Sequence, residues 1–262
     1  MQRSIATMRL WRLGVVALLL APAVGRSDVR RSATDFLRTT PRLTRWTLCT
    51  EPGSRPALDA LGEVLERNKL ARPLLARVLS NPHMQPYLSR TLPALRQVDH
   101  LPGVDEVLER MAQAGDGPSV RGPVFEVIAS AALKDRLQRM ATFVDGNEVD
   151  GVLRDGTIVE MKSTVGTRGD ELLAKAGRQL ERRCHGCRPG MIVLSWEPTP
   201  EQKGRLGELA VSLRTGLRVM TVDPETGQGR EVFNAPPCLG RPGLCPLARG
   251  LNRLRPPPPR PR

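Results

Sequence analysis

The chain has 262 residues and a formal net charge of +13, which is long enough for one sizeable core or for one domain with a smaller helical unit. The excess charge lies at the two ends, since residues 1–50 hold nine Lys/Arg against two Asp/Glu and residues 236–262 hold six Arg and no acid. Residues 51–235 are therefore neutral overall, which excludes a basic surface along the whole chain. An aromatic content of 3% also argues against a surface that stacks nucleic-acid bases.

The first 25 residues have the pattern of an export signal. A basic start, MQRSIATMRLWR, precedes the short apolar run LGVVALLL and the small residues APAVG. The apolar run is too short to span a bilayer comfortably, so the pattern favours a cleaved signal peptide over a membrane anchor. We therefore expect residues 1–25 to be a signal peptide and the protein to be exported, periplasmic or secreted, with no stable membrane span after cleavage.

Residues 26–118 are predicted to form a small all-helical region. Apolar residues recur there at spacings of three and four between residues 54 and 114, and Pro, Gly and Asn divide the pattern into short helices. No chemistry is assigned to this region. The segment GDGPSVRG, residues 115–122, is rich in small and turn-forming residues and is predicted to be a linker.

Residues 119–235 are predicted to form an α/β domain. The pattern changes to the element order α-β-β-β-α-β-α-β, which indicates a mixed sheet flanked by helices. The helices are predicted in PVFEVIASAALKDRL, GDELLAKAGRQLERR and TPEQKGRLGELAVSLRTG, and the strands in RMATFV, EVDGVL, TIVEMKS, GMIVLSW and LRVMTV. The tail, residues 236–262, contains cysteines and a Pro/Arg-rich end with too little apolar content to fold.

Four of the five cysteines form two close pairs in the sequence, and Cys49 stands apart. The pairs are Cys184 with Cys187, in CHGC, and Cys238 with Cys245, in CLGRPGLC. An exported chain permits disulfides, and four such residues also fit a tetrahedral structural Zn²⁺ site. Export favours disulfides over zinc, and both alternatives stay open.

The stretch NEVDGVLRDGTIVEMKST, residues 147–164, is predicted to be a β-hairpin with charged residues inside apolar strands. A two-residue turn would place Asp150 and Glu160 on opposite faces of the sheet. A three-residue turn, residues 154–156, puts Gly156 where positive φ is required and pairs Asp150 with Glu160. That register collects Asp150, Glu160 and Lys162 on one face and separates them from apolar residues on the other, so we favour it.

Two carboxylates on neighbouring strands repel each other unless positive charge lies between them. Lys162 supplies one charge, and a divalent cation would supply the rest. Oxygen ligands favour Mg²⁺ or Mn²⁺, which bind one or two carboxylates together with water and substrate phosphate. A metal held in this way can activate water and stabilise charge on a phosphodiester.

At Asp150 and at Glu160-Met161-Lys162, with nine residues between Asp150 and Glu160, the chain resembles the PD-(D/E)xK, or restriction-endonuclease-like, nucleases. The resemblance covers residues 120–222 and implies that family's αβββαβ core. It implies that Asp150, Glu160 and the Met161 carbonyl bind metal and that Lys162 is the catalytic lysine. The chain departs from the family pattern at Val149, where a proline is common, and at Arg183, where phage-exonuclease-like members have tyrosine.

The same resemblance suggests further site residues. Glu126 matches an additional acid on the first core helix, and Gln179 matches a polar residue on the helix after the third strand. Arg178 and Arg182, beside Gln179, are candidates to bind phosphate, although an ordinary polar helix face that includes Gln179 is the simpler explanation.

Two functions follow from these patterns. The first is a metal-dependent nuclease that hydrolyses DNA or RNA, exported and similar to nuclease toxins, with nucleic acid as substrate and an inhibitor (immunity) protein as a partner. The alternative is a non-catalytic exported binding or scaffold protein that keeps a degenerate nuclease fold.

Overall fold

A computed structural model describes residues 26–41, 44, 48, 54–164, 168–184 and 188–237. The predicted signal peptide, almost all of the Cys-containing tail and four of the five cysteines lie outside these residues. Within the described ranges, no helix combines the length and the apolar character needed to cross a membrane.

Helices make up the N-terminal half of the described chain, in agreement with the prediction. They are α1 (Arg26–Leu37), α2 (Arg55–Arg67), α3 (Arg72–Ser80), α4 (Leu88–Val98) and α5 (Val104–Gln113), with short 3-10 turns at Lys69–Ala71 and Pro82–Tyr87. Helix α2 shows why the pattern folds in this way. A proline lies in its first turn, Leu61 and Leu65 are fully buried one turn apart, and Asn68 ends the helix while its side chain accepts the Ala71 N–H at 3.2 Å.

The segment predicted to be a linker is instead the beginning of a helix. Residues 117–122 form the first turns of α6 (Gly117–Ala132). The Asp116 carboxylate accepts the Ser119 N–H at 2.7 Å, and the Ser119 hydroxyl in turn bonds to the Asp116 N–H, so the two side chains form a capping box. Gly117 and Pro118, which suggested a loop, are tolerated because they lie in the first turn, where N–H groups have no helical partner. The predicted boundary between residues 118 and 119 therefore lies inside α6.

A six-stranded mixed sheet forms the second half. Its strands are β1 (Leu137–Val144), β2 (Asn147–Leu153), β3 (Ile158–Lys162), β4 (Gly190–Leu194), β5 (Leu217–Val222) and β6 (Gly229–Ala235), and they lie side by side in chain order. The β3–β4 and β4–β5 pairs are parallel and the other pairs are antiparallel. Helix α7 (Gly169–Cys184) connects β3 to β4, and α8 (Pro200–Leu213) connects β4 to β5. The predicted mixed sheet flanked by helices is confirmed.

Strand β6 was not predicted. It pairs with β5 alone and lies at the edge of the sheet, and most of its residues are exposed. An edge strand of this kind needs no run of apolar residues, so it leaves little signal in the sequence.

The hairpin between β2 and β3 has the three-residue register. Gly151 pairs with Val159, and Val152 pairs with Ile158. The Leu153 N–H donates to the Thr157 carbonyl at 2.9 Å, which closes a turn of residues 154–156 in which Gly156 has φ +81°. Continued by one residue, this register sets Asp150 opposite Glu160.

Helices cover both faces of the sheet. Leu153, Val159 and Met161 belong to one core, which is continuous with α6 and the N-terminal helices. Val152 and Ile158 belong to a second core with α7 and α8. The prediction that the register separates the charges from the core is therefore wrong, because the face that carries Glu160 is also covered.

Val149 departs from the predicted alternation in the same region. Strict alternation along β2 would place it beside Leu153 in the first core, but it packs in the second core. The residues that β2 pairs with β3 are Gly151 and Val152, so Val149 lies beyond this pairing.

Candidate active site

Asp150 lies where the pairing of β2 and β3 ends. Its Oδ2 accepts the backbone N–H of Met161 at 2.7 Å, so a side-chain carboxylate takes up a donor that a neighbouring strand would otherwise satisfy. This contact holds the Asp150 carboxylate beside β3, next to Glu160 and Lys162.

Three oxygens converge on the Lys162 ammonium. Its Nζ lies 2.9 Å from Glu160 Oε2, 3.1 Å from the Met161 carbonyl oxygen and 3.4 Å from Asp150 Oδ2. These are the three groups that the sequence predicted as metal ligands. Glu160 is completely buried and Lys162 is nearly so, and a charge in such a position needs compensation by partners of opposite sign.

Arg183 is a second cation at Glu160. It lies in the last turn of α7, and its guanidinium contacts Glu160 Oε1, while Lys162 contacts Oε2. The Arg183 side chain is 13% exposed. In the sequence, this residue stands out only as a departure from the pattern of restriction-endonuclease-like nucleases. Its position four residues after Gln179, and so on the same helix face, is the signal that could have identified it.

Glu126 is held by a residue from the N-terminal helices. Arg110, on α5, donates to both carboxylate oxygens of Glu126, at 2.6 Å and 3.3 Å. Arg110 also lies 3.9 Å from Glu148 on β2. Sequence analysis assigned no chemistry to residues 54–114, and this contact corrects that assignment. The signal was weak, because a basic residue near a helix C-terminus is common for other reasons.

Burial raises the pKa of Glu126 to about 8, and the negative charge of Asp150 acts in the same direction. Arg110 and Lys162 lower the pKa without offsetting the effect of burial. Around neutral pH, Glu126 thus keeps a proton that an exposed glutamate would lose. Because the charges of Asp150 and Lys162 both change the pKa of Glu126, Glu126 belongs to the same electrostatic cluster as these two strand residues.

The polar residues predicted on α7 divide into two groups. Arg178 and Arg182 are exposed, and Arg178 lines a groove of about 410 Å³ between α7 and α8 that is separate from the strand residues. Gln179 is half-buried, and its Oε1 is buried without a hydrogen-bond partner in the part of the chain that the structure describes. Gln179 shares the helix face of Arg183, whereas Arg178 and Arg182 do not contact the site.

The predicted disulfide or zinc site lies outside the described residues. Cys184 is the last residue of α7, and Cys187, Cys238 and Cys245 fall in segments that are not described. Their pairing stays a prediction.

The oxygens at Asp150, Glu160 and Met161 fit a small divalent cation that keeps water ligands. Two carboxylates and one carbonyl form the donor set that Mg²⁺ or Mn²⁺ uses when substrate phosphate and water complete the coordination. Among the described residues, no group of three or more His, Cys, Asp or Glu side chains is arranged to bind a metal. A metal at this point requires the Lys162 ammonium to move aside, since both would occupy the space between the same oxygens.

Comparison with known proteins gives no family assignment. Neither a protein-family model nor a curated protein nor a solved structure matches the chain.

Proposed function

We propose that the protein is a metal-dependent nuclease that hydrolyses phosphodiester bonds of DNA or RNA. One observation carries this proposal: the three predicted ligand oxygens, on Asp150, Glu160 and Met161, lie within 3.4 Å of a single cationic atom, Lys162 Nζ. Such convergence of buried oxygens is costly for folding and is typical of a cation-binding site.

The arrangement of the secondary structure also supports the proposal. Helix α6 precedes three antiparallel strands, and α7 then leads to β4, which is parallel to β3. This αβββαβ order is the core that the resemblance to restriction-endonuclease-like nucleases implies. The charged residues lie on β2 and β3, as that resemblance also implies.

The roles of the residues follow from their positions. Asp150 and Glu160 would hold Mg²⁺ or Mn²⁺ together with the Met161 carbonyl, and the bound metal would stabilise charge on the phosphodiester and lower the pKa of an attacking water. Lys162, with three N–H donors, would orient that water or stabilise the developing anion. Glu126, with a pKa raised to about 8, keeps a proton near the Asp150 carboxylate and reduces the repulsion between them.

The test is cleavage of plasmid DNA and of tRNA by purified protein, with and without Mg²⁺. We expect Mg²⁺-dependent cleavage that falls at least 100-fold in Asp150→Asn, Glu160→Gln and Lys162→Met, because each removes a ligand or a charge at the reacting phosphate. Glu171→Gln and Lys175→Met change exposed residues on α7 and serve as matched controls with full activity. Cleavage that persists unchanged in Asp150→Asn or Lys162→Met would contradict the proposal.

One observation favours the alternative, a non-catalytic binding or scaffold protein with a degenerate nuclease fold. The carboxylates of Asp150 and Glu160 are already balanced by two cations of the chain, Lys162 and Arg183. If this alternative holds, the folded protein binds no Mn²⁺ and cleaves neither plasmid DNA nor tRNA. A nuclease binds Mn²⁺ and cleaves DNA or RNA.

We further propose that the nuclease is exported and acts as a toxin with a dedicated inhibitor protein. The basic, apolar and small-residue pattern of residues 1–25 supports export. Sequencing the N-terminus of protein recovered from the periplasm or the medium tests this point. A mature chain that begins after about residue 25 is the expected result, and an intact N-terminus would contradict it.

A further inference from the structure

The Glu160 carboxylate is shared between two cations on different elements. Lys162, two residues along the same strand, holds Oε2, and Arg183, at the end of α7, holds Oε1. Both oxygens of a completely buried carboxylate are therefore occupied by groups of the protein.

The charges around this carboxylate sum to zero without a metal. Asp150 and Glu160 contribute two negative charges, and Lys162 and Arg183 contribute two positive charges. A divalent cation would leave this cluster, whose side chains are all at most 17% exposed, with two uncompensated positive charges. Uncompensated charge in a buried site is strongly unfavourable, so entry of the metal requires a protein cation to leave.

We propose that Arg183 is this cation: it competes with the divalent metal for Glu160 and is released when the metal binds. This inference rests on the metal site of the proposed function. Lys162 is less suited to leave the cluster, because it lies on β3 two residues from Glu160: its ammonium can shift from between the three oxygens and still remain within the cluster. Arg183 reaches Glu160 from a helix end, and among the described residues its side chain makes no other ion pair.

The structure offers the released guanidinium a second partner. Gln179 lies one turn earlier on the same face of α7, and its buried Oε1 lacks a hydrogen-bond donor among the described residues. An arginine displaced by a few ångströms along that face can donate to this oxygen. Arg183 is thus a positioning residue for the Glu160 carboxylate before metal binding.

The experiment measures Mn²⁺ affinity of the full-length protein without nucleic acid, from the loss of the free-ion EPR signal. Arg183→Gln removes the competing charge and is expected to bind Mn²⁺ about tenfold more tightly, which corresponds to about 1.4 kcal/mol. Arg182→Gln is the matched control, because it removes the same charge from the exposed neighbouring position, and its affinity is expected to equal that of the unaltered protein. A merely structural role for Arg183 would weaken binding, so the direction of the change is diagnostic.

The remaining outcomes separate this inference from the proposed function. Asp150→Asn should abolish Mn²⁺ binding and so locates the bound ion. If the unaltered protein binds Mn²⁺ and Arg183→Gln binds it no more tightly, the competition is refuted and the metal site stands. If no folded variant binds Mn²⁺, the metal site itself fails, and the inference with it.

A second variant covers the case in which Arg183→Gln does not fold. Gln179→Leu removes the acceptor proposed for the released guanidinium, and it is expected to weaken Mn²⁺ binding about threefold. Unchanged affinity in this variant would overturn the proposal.

Discussion

The N-terminal helices and the central strands bury polar groups in different ways. In the helices, Asn81 is buried, and its amide donates to the carbonyls of Met111 and Ala114 at 2.8 Å and 3.0 Å while its oxygen accepts the His83 N–H at 3.0 Å. In the strands, the partners of Glu160 among the described residues are the side chains of two cations. A buried side chain that bonds to backbone groups alone serves folding, whereas opposite charges paired in a buried position indicate a candidate site.

The largest effect expected from this comparison is the loss of Glu160. Glu160→Leu leaves two buried cations, Lys162 and Arg183, with Asp150 as the remaining carboxylate of the cluster, and should lower the free energy of unfolding by about 4 kcal/mol. Urea unfolding at neutral pH measures the change, and the exposed Glu171→Gln should lie within about 0.5 kcal/mol of the unaltered protein. A loss below about 1 kcal/mol would mean that solvent, rather than Glu160, balances the two cations.

A smaller effect is expected at Asn81, and it should affect stability alone. Asn81→Ala leaves two carbonyls and one N–H without their partner and should cost about 2 kcal/mol. Mn²⁺ affinity should not change, because Asn81 bonds to backbone of the helical region and not to any site residue. Asn234→Ala, on the exposed edge strand, is the control with little change in either quantity. Altered metal affinity in Asn81→Ala would contradict the division between structural and functional polar groups.

The third prediction is a dependence of the free energy of unfolding on pH that comes from Glu126, where the two regions meet. Because burial raises its pKa from about 4.5 to about 8, the folded state holds the proton more tightly than the unfolded state. The stabilisation from that proton is complete below about pH 4.5 and is lost as the pH rises through about 8. The groups that act on Glu126 are Asp150, Arg110 and Lys162.

Urea unfolding at several pH values tests this prediction. Glu126→Gln should remove the Glu126 contribution to the pH dependence between about 4.5 and about 8. Glu148→Gln, at an exposed position of β2, should retain it. Identical pH profiles for Glu126→Gln and the unaltered protein would show that Glu126 titrates as an exposed group does.

The sequence predicted the strand residues of the site because local rules determine them. The turn at residues 154–156 needs positive φ where Gly156 lies, and that choice alone sets Asp150 opposite Glu160. The alternation of side chains along β3 predicts that Lys162 lies on the same face as Glu160, two residues earlier. Hydrophobic periodicity likewise predicted most of the helices and all strands except β6.

The same local rules did not predict the contacts of Arg110 and Arg183. Arg110 meets Glu126 because α5 packs beside α6, and Arg183 meets Glu160 because α7 returns across β3. Both contacts depend on packing between elements distant in the sequence, which no local pattern encodes. The segment 115–122 was misread for a different reason, since the residues that begin a capped helix are the same ones that form loops.

Helix α6 determines where this protein can be divided into fragments. It contributes Glu126 to the site, and its apolar residues belong to one core that includes both the N-terminal helices and the sheet. A cut at residue 118 would sever a capped helix and expose that core, so the sheet cannot be transplanted as an independent module. A fragment that begins at this point would also lack Arg110, which donates to Glu126 from α5. The two halves therefore share one core, and we expect them to fold and unfold together.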